Sequence, residues 1–235
     1  MEEIRLNKFI SEAGICSRRQ ADKLIEEGKI SIDGQVATMG SKVTLENKVT
    51  YNGKLVKPVS KLVYYAYNKP IGQVCTAKGA DRDSIFEYVE FPERVTYVGR
   101  LDKDSSGLLI LTNDGDLSNA VQKSCNNHEK EYMVRVNKDI TEEFIKGMSS
   151  GVPILDTVTK PCKVNKTGAR SFKIVLTQGL NRQIRRMYDF FDYRVVHLKR
   201  VRVMNVYLGN LRPGEYRHLT MEEEQKLKKL TGIIQ

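Results

Sequence analysis

GRLDKDSSGLLILTNDG, residues 99–115, places one carboxylate, Asp102, directly after a basic residue and shortly before an apolar run. The run LLIL, residues 108–111, is bounded by Gly107 and by the turn sequence NDG, which is typical of a buried strand. A polar loop before a core strand presents side chains at a surface while the strand fixes the backbone beneath them. Asp102 is therefore a candidate functional residue. A turn-capping role is the alternative, because aspartate is a common turn residue.

Length and composition favour two globular domains with a polyanionic partner. The chain has 235 residues, of which 40% are hydrophobic and 29% are charged, as in folded soluble proteins. Its net charge of +10 and its isoelectric point near 9.3 favour nucleic acid as a partner. A basic surface without a specialised role is the alternative that the charge alone leaves open.

Several protein classes are disfavoured by what the sequence lacks. No apolar run approaches the roughly 18 residues of a membrane span, and the N-terminus MEEIRLNK has no apolar signal core. Its four cysteines lie far apart without a CxxC pair, so neither a zinc site nor a disulfide framework is indicated. We expect a cytoplasmic protein with no membrane contact and no bound metal.

The N-terminal segment predicts two short helices followed by hairpins. Apolar residues at helical spacing predict a helix over residues 5–13 that ends at Gly14. SRRQ, residues 17–20, reads as a capping box that opens a second helix ending near Gly28. The dipeptides Asp-Gly at 33–34 and Asn-Gly at 52–53 follow alternating segments and predict hairpin turns.

This helix-helix-hairpin unit resembles the S4 RNA-binding domain over residues 4–58. Its opening RLNKFI and the later SRRQA match the S4 pattern, except that Asn7 stands where aspartate is usual. The resemblance implies that the basic residues of this unit contact RNA, namely Arg5, Lys8, Arg18 and Arg19. An ordinary solvated helix face is the alternative. We place this domain at residues 1–58.

The second domain is expected at residues 59–235, after a linker at 57–60. Alternation predicts strands at 62–67, 73–75, 129–136, 158–164, 171–177 and 194–207. The sequence NKPIG, residues 68–72, reads as a turn that shapes the backbone. Helices are predicted over 116–121, from Thr141 to an end between Gly147 and Gly151, and over Met221–Leu230. The fold class is therefore α+β, with a mostly antiparallel mixed sheet flanked by helices.

A second concentrated signal is QGLNRQIRRM, residues 178–187. Arg182, Arg185 and Arg186 crowd one short predicted helix that follows a strand. Three guanidinium groups repel one another unless an anion faces them. A phosphate backbone and a buried carboxylate are both suitable partners.

Three motifs together resemble the RNA pseudouridine synthases, in the branch that acts on ribosomal RNA. The ungapped match comprises RLD with SGLL and TNDG, then KEY at 130–132, and then RQIR at 182–185. The family activity breaks the C1′–N1 bond of a uridine and joins C1′ to C5 of the same base. No net redox change occurs, so the resemblance implies neither a cofactor nor a metal.

The resemblance also implies roles for individual residues. Asp102 would act at the sugar or at C6, as a nucleophile or as a charge stabiliser. Arg185 would pair with Asp102, and Tyr132 would stack on the base and accept a proton, although a strand tyrosine is ordinarily a packing residue. Four further residues would bind substrate: Ile184 on the base face, Arg100 in the gap left by the flipped base, and Arg182 and Arg186 on the RNA.

The implied substrate is one uridine of large-subunit (23S) ribosomal RNA, with the tyrosine tRNA anticodon as a second candidate, and the protein is expected to be a monomer. The strongest alternative is an RNA-binding protein without activity. A deaminase would need an H-x-E and a P-C-x-x-C pattern, and neither is present. A methyltransferase would need a glycine-rich loop after its first strand, and none follows Tyr67.

Overall fold

The computed structural model describes residues 3–58, 61–77, 79–123 and 127–234. The expected linker lies partly outside these ranges, as does Cys125. The chain divides into two compact units. The first contains the described residues up to Val63 together with 113–115, and the second contains the remainder from Tyr64 onward. In the described ranges, no helix is long and apolar enough to cross a membrane.

The first unit packs two helices with short strands. Its elements are β1 (Ile4–Arg5), α1 (Leu6–Glu12), α2 (Arg18–Glu26), β2 (Ile30–Ile32), β3 (Gln35–Val36), β4 (Lys42–Val43), β5 (Val49–Tyr51) and β6 (Lys54–Leu55). One sheet has the order β3-β2-β5-β6, and β1 pairs with β4. Leu6, Phe9, Ile10, Ala21 and Ile30 are among the buried residues of its core.

Local signals in this unit are confirmed in detail. Ser17 and Gln20 form the expected capping box at the start of α2. The turns at 33–34 and 52–53 have two consecutive residues with positive φ, as tight hairpins require. Asn7, which departs from the S4 pattern, donates from its amide to Asp22 Oδ1 at 2.8 Å, so it still links the two helices.

The second unit contains a nine-stranded sheet with helices. Its elements are β7 (Tyr64–Lys69), α3 (Ile85–Tyr88), β8 (Thr96–Val98), β9 (Ser106–Thr112), α4 (Gly115–Gln122), β10 (Lys130–Val136), α5 (Glu142–Ser150), β11 (Pro153–Ile154), β12 (Thr157–Val158), β13 (Lys163–Gly168), β14 (Ser171–Leu176), α6 (Gln183–Phe190), β15 (Val195–Val203), β16 (Val206–Tyr207), β17 (Tyr216–His218) and α7 (Met221–Leu230). The order is β13-β14-β10-β15-β9-β7-β17, with β8 paired to β9 and β16 to β15. The predicted mixed, mostly antiparallel sheet is confirmed, since among its described strands only β9 and β15 pair in parallel.

The parallel contact of β9 with β15 brings two backbones close together near the site. Gly107 lies opposite Arg200 and has a positive φ of 104°. A Cβ at this position would overlap the carbonyl oxygen of Arg200, so only glycine fits. The GLL sequence thus lets the strand that follows Asp102 lie directly against β15.

Several element boundaries differ from the sequence prediction. β7 continues through Lys69 instead of turning at Asn68, and residues 73–75 form only an isolated bridge from Val74 to Ser84. The strand predicted over 194–207 is a hairpin instead, because Met204 adopts a positive φ of 52° and reverses the chain into β16. The region 158–164 contains the end of β12 and the beginning of β13, and β13 extends to Gly168.

Candidate active site

The turn carrying Asp102 connects β8 to β9 and is fixed from several directions. The amide of Ser105 donates to the carbonyl oxygen of Asp102 at 3.1 Å and closes the turn. The amide of Gly72 donates to Lys103 O at 2.8 Å, so the NKPIG segment braces the turn from one side. Leu101 is 6% exposed and anchors the turn in the core. The carboxylate of Asp102 is 40% exposed and therefore faces solvent from a rigid base.

Beside this turn lies a cavity of about 410 Å³. It is lined by backbone and side chains from the turn, from β10, from the segment before α6 and from β15. Six residues predicted from the motifs line it: Arg100, Asp102, Tyr132, Arg182, Ile184 and Arg185. The fold therefore brings together at one cavity residues that are up to 85 positions apart in sequence.

The arginines of the α6 segment face the carboxylates of the turn. Arg182 Nη1 lies 3.9 Å from Asp102 Oδ2, and Arg182 Nη2 lies 3.4 Å from Asp104 Oδ2. Arg185 Nη2 lies 3.2 Å from Asp104 Oδ2 and donates to the Asp104 carbonyl oxygen at 2.9 Å. The Asp102 turn and the start of α6 therefore carry two carboxylates balanced by two guanidinium groups, of which Asp102, Arg182 and Arg185 line the cavity.

The pairing of Arg185 with Asp102 that the motif implied is corrected by this geometry. Arg185 contacts Asp104, and it is Arg182 that approaches Asp102. The reason is local, because α6 begins only at Gln183 and Arg182 has a left-handed conformation with φ of 48°. Arg182 therefore leaves the helical register assumed from sequence and reaches the carboxylate that Arg185 was expected to hold.

Arg186 does not line the cavity. Its Nε donates to Asn181 O at 3.1 Å and its Nη2 donates to Asn181 Oδ1 at 3.3 Å. These hydrogen bonds of Arg186 therefore stay within the segment that precedes and begins α6. In the first unit, Arg5, Arg18 and Arg19 are exposed, and Lys8 forms an ion pair with Glu12 at 3.5 Å.

Tyr132 and Ile184 supply the apolar part of the cavity. Tyr132 lies on β10 opposite Arg200 of β15 and is partly buried against the core cluster that includes Ile184. Ile184 is 5% exposed. An aromatic ring and an aliphatic side chain on one cavity are suited to a flat base, which both can contact through its faces.

Lys69 is a residue of this region that sequence reasoning treated as part of a turn. It is fully buried at the end of β7, and its Nζ donates to the carbonyl oxygens of Pro70 at 2.9 Å and Gln73 at 2.8 Å. Burial lowers the pKa of Lys69 to about 8, and the negative charges of Asp102 and Asp104 oppose that shift. The ammonium group thus holds the segment that braces the Asp102 turn. In the sequence, the feature that could have indicated a buried role for Lys69 is its position at the end of a predicted apolar strand.

Lys130 and Arg200 also line the cavity and were missed as individual site residues. Lys130 belongs to the KEY motif, of which only Tyr132 was predicted as a site residue, and Arg200 lies in the sequence KRVR, residues 199–202. Arg200 is 2% exposed and is therefore almost completely buried beside the cavity. Its Nε donates to Leu108 O at 2.7 Å, within the strand that follows the Asp102 turn.

Comparison with known proteins gives two family matches along the chain. Residues 63–189 match the RNA pseudouridylate synthase family, and residues 4–49 match the S4 domain. The dual-specificity RNA pseudouridine synthase RluF of Escherichia coli (strain K12) is 53% identical over 229 residues, covering 97% of this chain and 79% of that protein.

Two other relatives span nearly full lengths. An uncharacterized RNA pseudouridine synthase of Aquifex aeolicus (strain VF5) is 37% identical over 243 residues, covering 99% of this chain and 97% of that protein. A solved structure described as a pseudouridylate synthase superposes with a TM-score of 0.71 at 30% identity, covering 95% of this chain and 99% of that one.

Proposed function

The chain belongs to the RNA pseudouridine synthase family, and from this premise we propose that it isomerises one uridine of large-subunit (23S) ribosomal RNA, with tyrosine tRNA as a second substrate. The relative named a dual-specificity synthase, at 53% identity, supports the assignment of two substrates. We place the enzyme in the cytoplasm as a monomer. The observation that carries the proposal is a carboxylate, Asp102, on a rigid turn in a cavity whose other charged side chains are cations.

The reaction requires the target base to leave its stack and reach Asp102. Unstacking costs a few kcal/mol, which a side chain filling the vacated space can offset. Arg100 is exposed at the cavity, two residues before Asp102, and is suited to that role. Tyr132 and Ile184 would then contact the faces of the extruded base.

Asp102 would act on the bound nucleotide while the C1′–N1 bond breaks, either by bonding to the sugar or base or by stabilising the developing positive charge. Arg182 would orient this carboxylate, and Arg185 would act through Asp104 to hold the turn. The base rotates and rejoins C1′ through C5. The C5 proton then leaves, with the Tyr132 oxygen as the candidate acceptor as its own O–H proton passes on, and N1 takes up a proton, so atoms and electrons balance without a cofactor.

The exposed Arg5, Arg18 and Arg19 of the first unit, together with Lys8, would contact RNA phosphates. Phosphate contacts of this kind position a protein on its RNA and carry no sequence information.

Pseudouridine mapping in ribosomal RNA and tRNA tests the substrate assignment. A strain lacking the gene is compared with the same strain carrying the wild-type gene or Asp102→Asn. We expect one 23S site and one tyrosine tRNA site to disappear on deletion and to return only with the wild-type gene. An unchanged map, or restoration by Asp102→Asn, would contradict the proposal.

A further inference from the structure

Lys130 and Arg200 form a pair of cations on neighbouring strands at the cavity. Lys130 begins β10, and Arg200 lies on β15 opposite Tyr132, two residues further along β10. Both residues line the cavity that contains Asp102. Arg200 is buried and Lys130 is partly buried, so neither charge is fully hydrated.

Neither cation has a carboxylate partner within the described ranges. The Arg200 guanidinium donates to the carbonyl oxygens of Leu108 at 2.7 Å and Arg100 at 3.4 Å, and its buried Nη2 has no hydrogen-bond acceptor in the described structure. Lys130 Nζ has the carbonyl oxygen of His128 at 3.4 Å as its contact. Each of these acceptors is therefore neutral.

The carboxylates nearest in sequence are already engaged elsewhere. Glu129 lies 2.9 Å from Arg202 Nη2, and Glu131 lies 3.2 Å from Arg202 Nε and 3.0 Å from Lys173 Nζ. These ion pairs use the residues on either side of Lys130, whose own side chain alternates to the opposite face of the strand. In the described structure, the glutamates on either side of Lys130 therefore have cationic partners, whereas Lys130 on the cavity face has no anionic partner.

Two like charges in a partly desolvated site are unfavourable unless an anion joins them. The effect is visible on Lys130, because burial and the charge of Arg200 lower its pKa to about 8. An anion at this position would remove the repulsion and give the Lys130 ammonium group a charged acceptor. A phosphate group fits, since its oxygens accept several charge-assisted hydrogen bonds.

We infer that Lys130 and Arg200 form a phosphate subsite, and that it takes a phosphodiester adjoining the target uridine. The inference rests on the proposed function, which brings that nucleotide into the cavity. Lys130 makes the direct hydrogen bond. Arg200, which is 2% exposed and held by two carbonyl oxygens, contributes its charge from beneath. The subsite would hold the RNA backbone beside the target nucleotide in the cavity and so contribute to binding.

A chemical double-mutant cycle tests the subsite. RNA carrying a single neutral methylphosphonate at the linkage 5′ or 3′ to the target uridine is compared with unmodified RNA, using wild-type enzyme and Lys130→Met. For one of the two linkages, the wild type should lose about tenfold or more in affinity. Lys130→Met should bind unmodified RNA more weakly by a similar factor and be insensitive to that methylphosphonate. Equal sensitivity of both proteins at both linkages would overturn the inference.

Lys199→Met is the matched control, because it removes a lysine next to Arg200 on the same strand. It should retain the full wild-type sensitivity to the methylphosphonate. Loss of sensitivity in Lys199→Met as well would show that the effect is one of general charge, and would also overturn the inference.

A second experiment uses inorganic phosphate and needs neither RNA nor catalysis. The protein is reductively methylated with ¹³C, and the Lys130 resonance, assigned through Lys130→Arg, is titrated with pH with and without phosphate. Phosphate should raise the pKa of Lys130, and this result would stand even if isomerisation were absent. A response to phosphate without coupling in the RNA cycle would assign the pair to free phosphate and overturn the phosphodiester. A response in neither arm would overturn the subsite altogether.

Discussion

The two charged walls of the cavity differ in how their charges are balanced. On the wall formed by the Asp102 turn and the start of α6, Asp102 and the neighbouring Asp104, which does not itself line the cavity, face two arginines at 3.2 to 3.9 Å. On the wall formed by β10 and β15, Lys130 and Arg200 face neutral carbonyl oxygens. The paired wall is complete before RNA arrives, whereas the unpaired wall lacks an anion. We infer that the paired wall keeps the Asp102 turn in position and that the unpaired wall binds an anion of the substrate.

Stability alone does not account for either arrangement. Partly exposed ion pairs like those of Asp102 and Asp104 contribute about 0–1 kcal/mol to folding. Buried cations without an anion are unfavourable for folding. We interpret both walls as features of function, and substitutions on the two walls should therefore change different measured quantities.

The largest effect is expected at Asp102. Asp102→Asn removes the carboxylate that we propose reacts with the nucleotide, and it should lower the single-turnover rate by about a thousandfold or more. Asp104→Asn, the matched control, loosens the turn and should lower the rate about tenfold. The rate is followed as tritium release from RNA labelled at C5 of uridine, at saturating protein. Release near the wild-type rate from Asp102→Asn would remove Asp102 from the mechanism.

Arg185→Lys should be more damaging than Arg186→Lys, although both keep the charge. Arg185 reaches both the carboxylate and the carbonyl oxygen of Asp104, which a single ammonium group cannot reproduce in the same geometry. Misplacing the reacting group by about 1 Å can cost on the order of a hundredfold in rate. Arg186 is held by Asn181, so its replacement should lower the rate by a few fold. Equal single-turnover rates for the two variants would show that Arg185 does not position the turn.

The sequence predicted those parts of the fold that local chemistry decides. Ser17 with Gln20 marks a helix start, and the dipeptides at 33–34 and 52–53 mark hairpins, because each signal acts within four residues. The end of β7 at Lys69 was missed, since a lysine there is stable only when the tertiary fold supplies carbonyl oxygens to its ammonium group.

For the site, motif resemblance predicted six of the residues that line the cavity, but not Lys130, Arg200 or all of the contacts. Arg182, rather than Arg185, approaches Asp102 because of the left-handed backbone at Arg182, which no local pattern specified. Nothing in the sequence KRVR, residues 199–202, distinguishes Arg200 from an exposed arginine. Its burial follows from the parallel pairing of β15 with β9, which is a contact between strands distant in sequence.

The lowered pKa values of Lys69 and Lys130 predict that the stability of the protein rises with pH in the alkaline range. The pKa values of Lys69 and Lys130 are about 8 in the folded protein, against 10.5 ordinarily, so the unfolded chain binds more protons between these values. The free energy of unfolding should therefore gain up to about 1.4 kcal/mol per pH unit from each lysine as pH rises from about 8 to about 10.

Denaturant unfolding at several pH values measures this contribution. Lys69→Met and Lys130→Met should each flatten the rise relative to wild type, while Lys226→Met, which replaces an exposed lysine of α7, should leave the slope unchanged. Identical pH slopes for wild type and both buried-site variants would show that these lysines are not destabilised by burial.

The smallest effect is expected from Arg18→Gln combined with Arg19→Gln in the first unit. These exposed arginines should contribute only phosphate contacts, so RNA affinity should fall a few fold with no change in the single-turnover rate. The slope of log affinity against log salt should become shallower by about 0.7 for each phosphate of single-stranded RNA that the protein no longer neutralises. An unchanged slope would mean that these arginines do not touch the RNA.

The division between the two walls is tested most directly by the single-turnover rate as a function of protein concentration, for Asp104→Asn and Lys130→Met side by side. Each curve gives a plateau, which reports the reaction, and a half-saturating concentration, which reports binding. We predict that Asp104→Asn lowers the plateau and keeps the wild-type half-saturation, and that Lys130→Met raises the half-saturation about tenfold while keeping most of the plateau. A change in the same parameter for both variants would contradict the account.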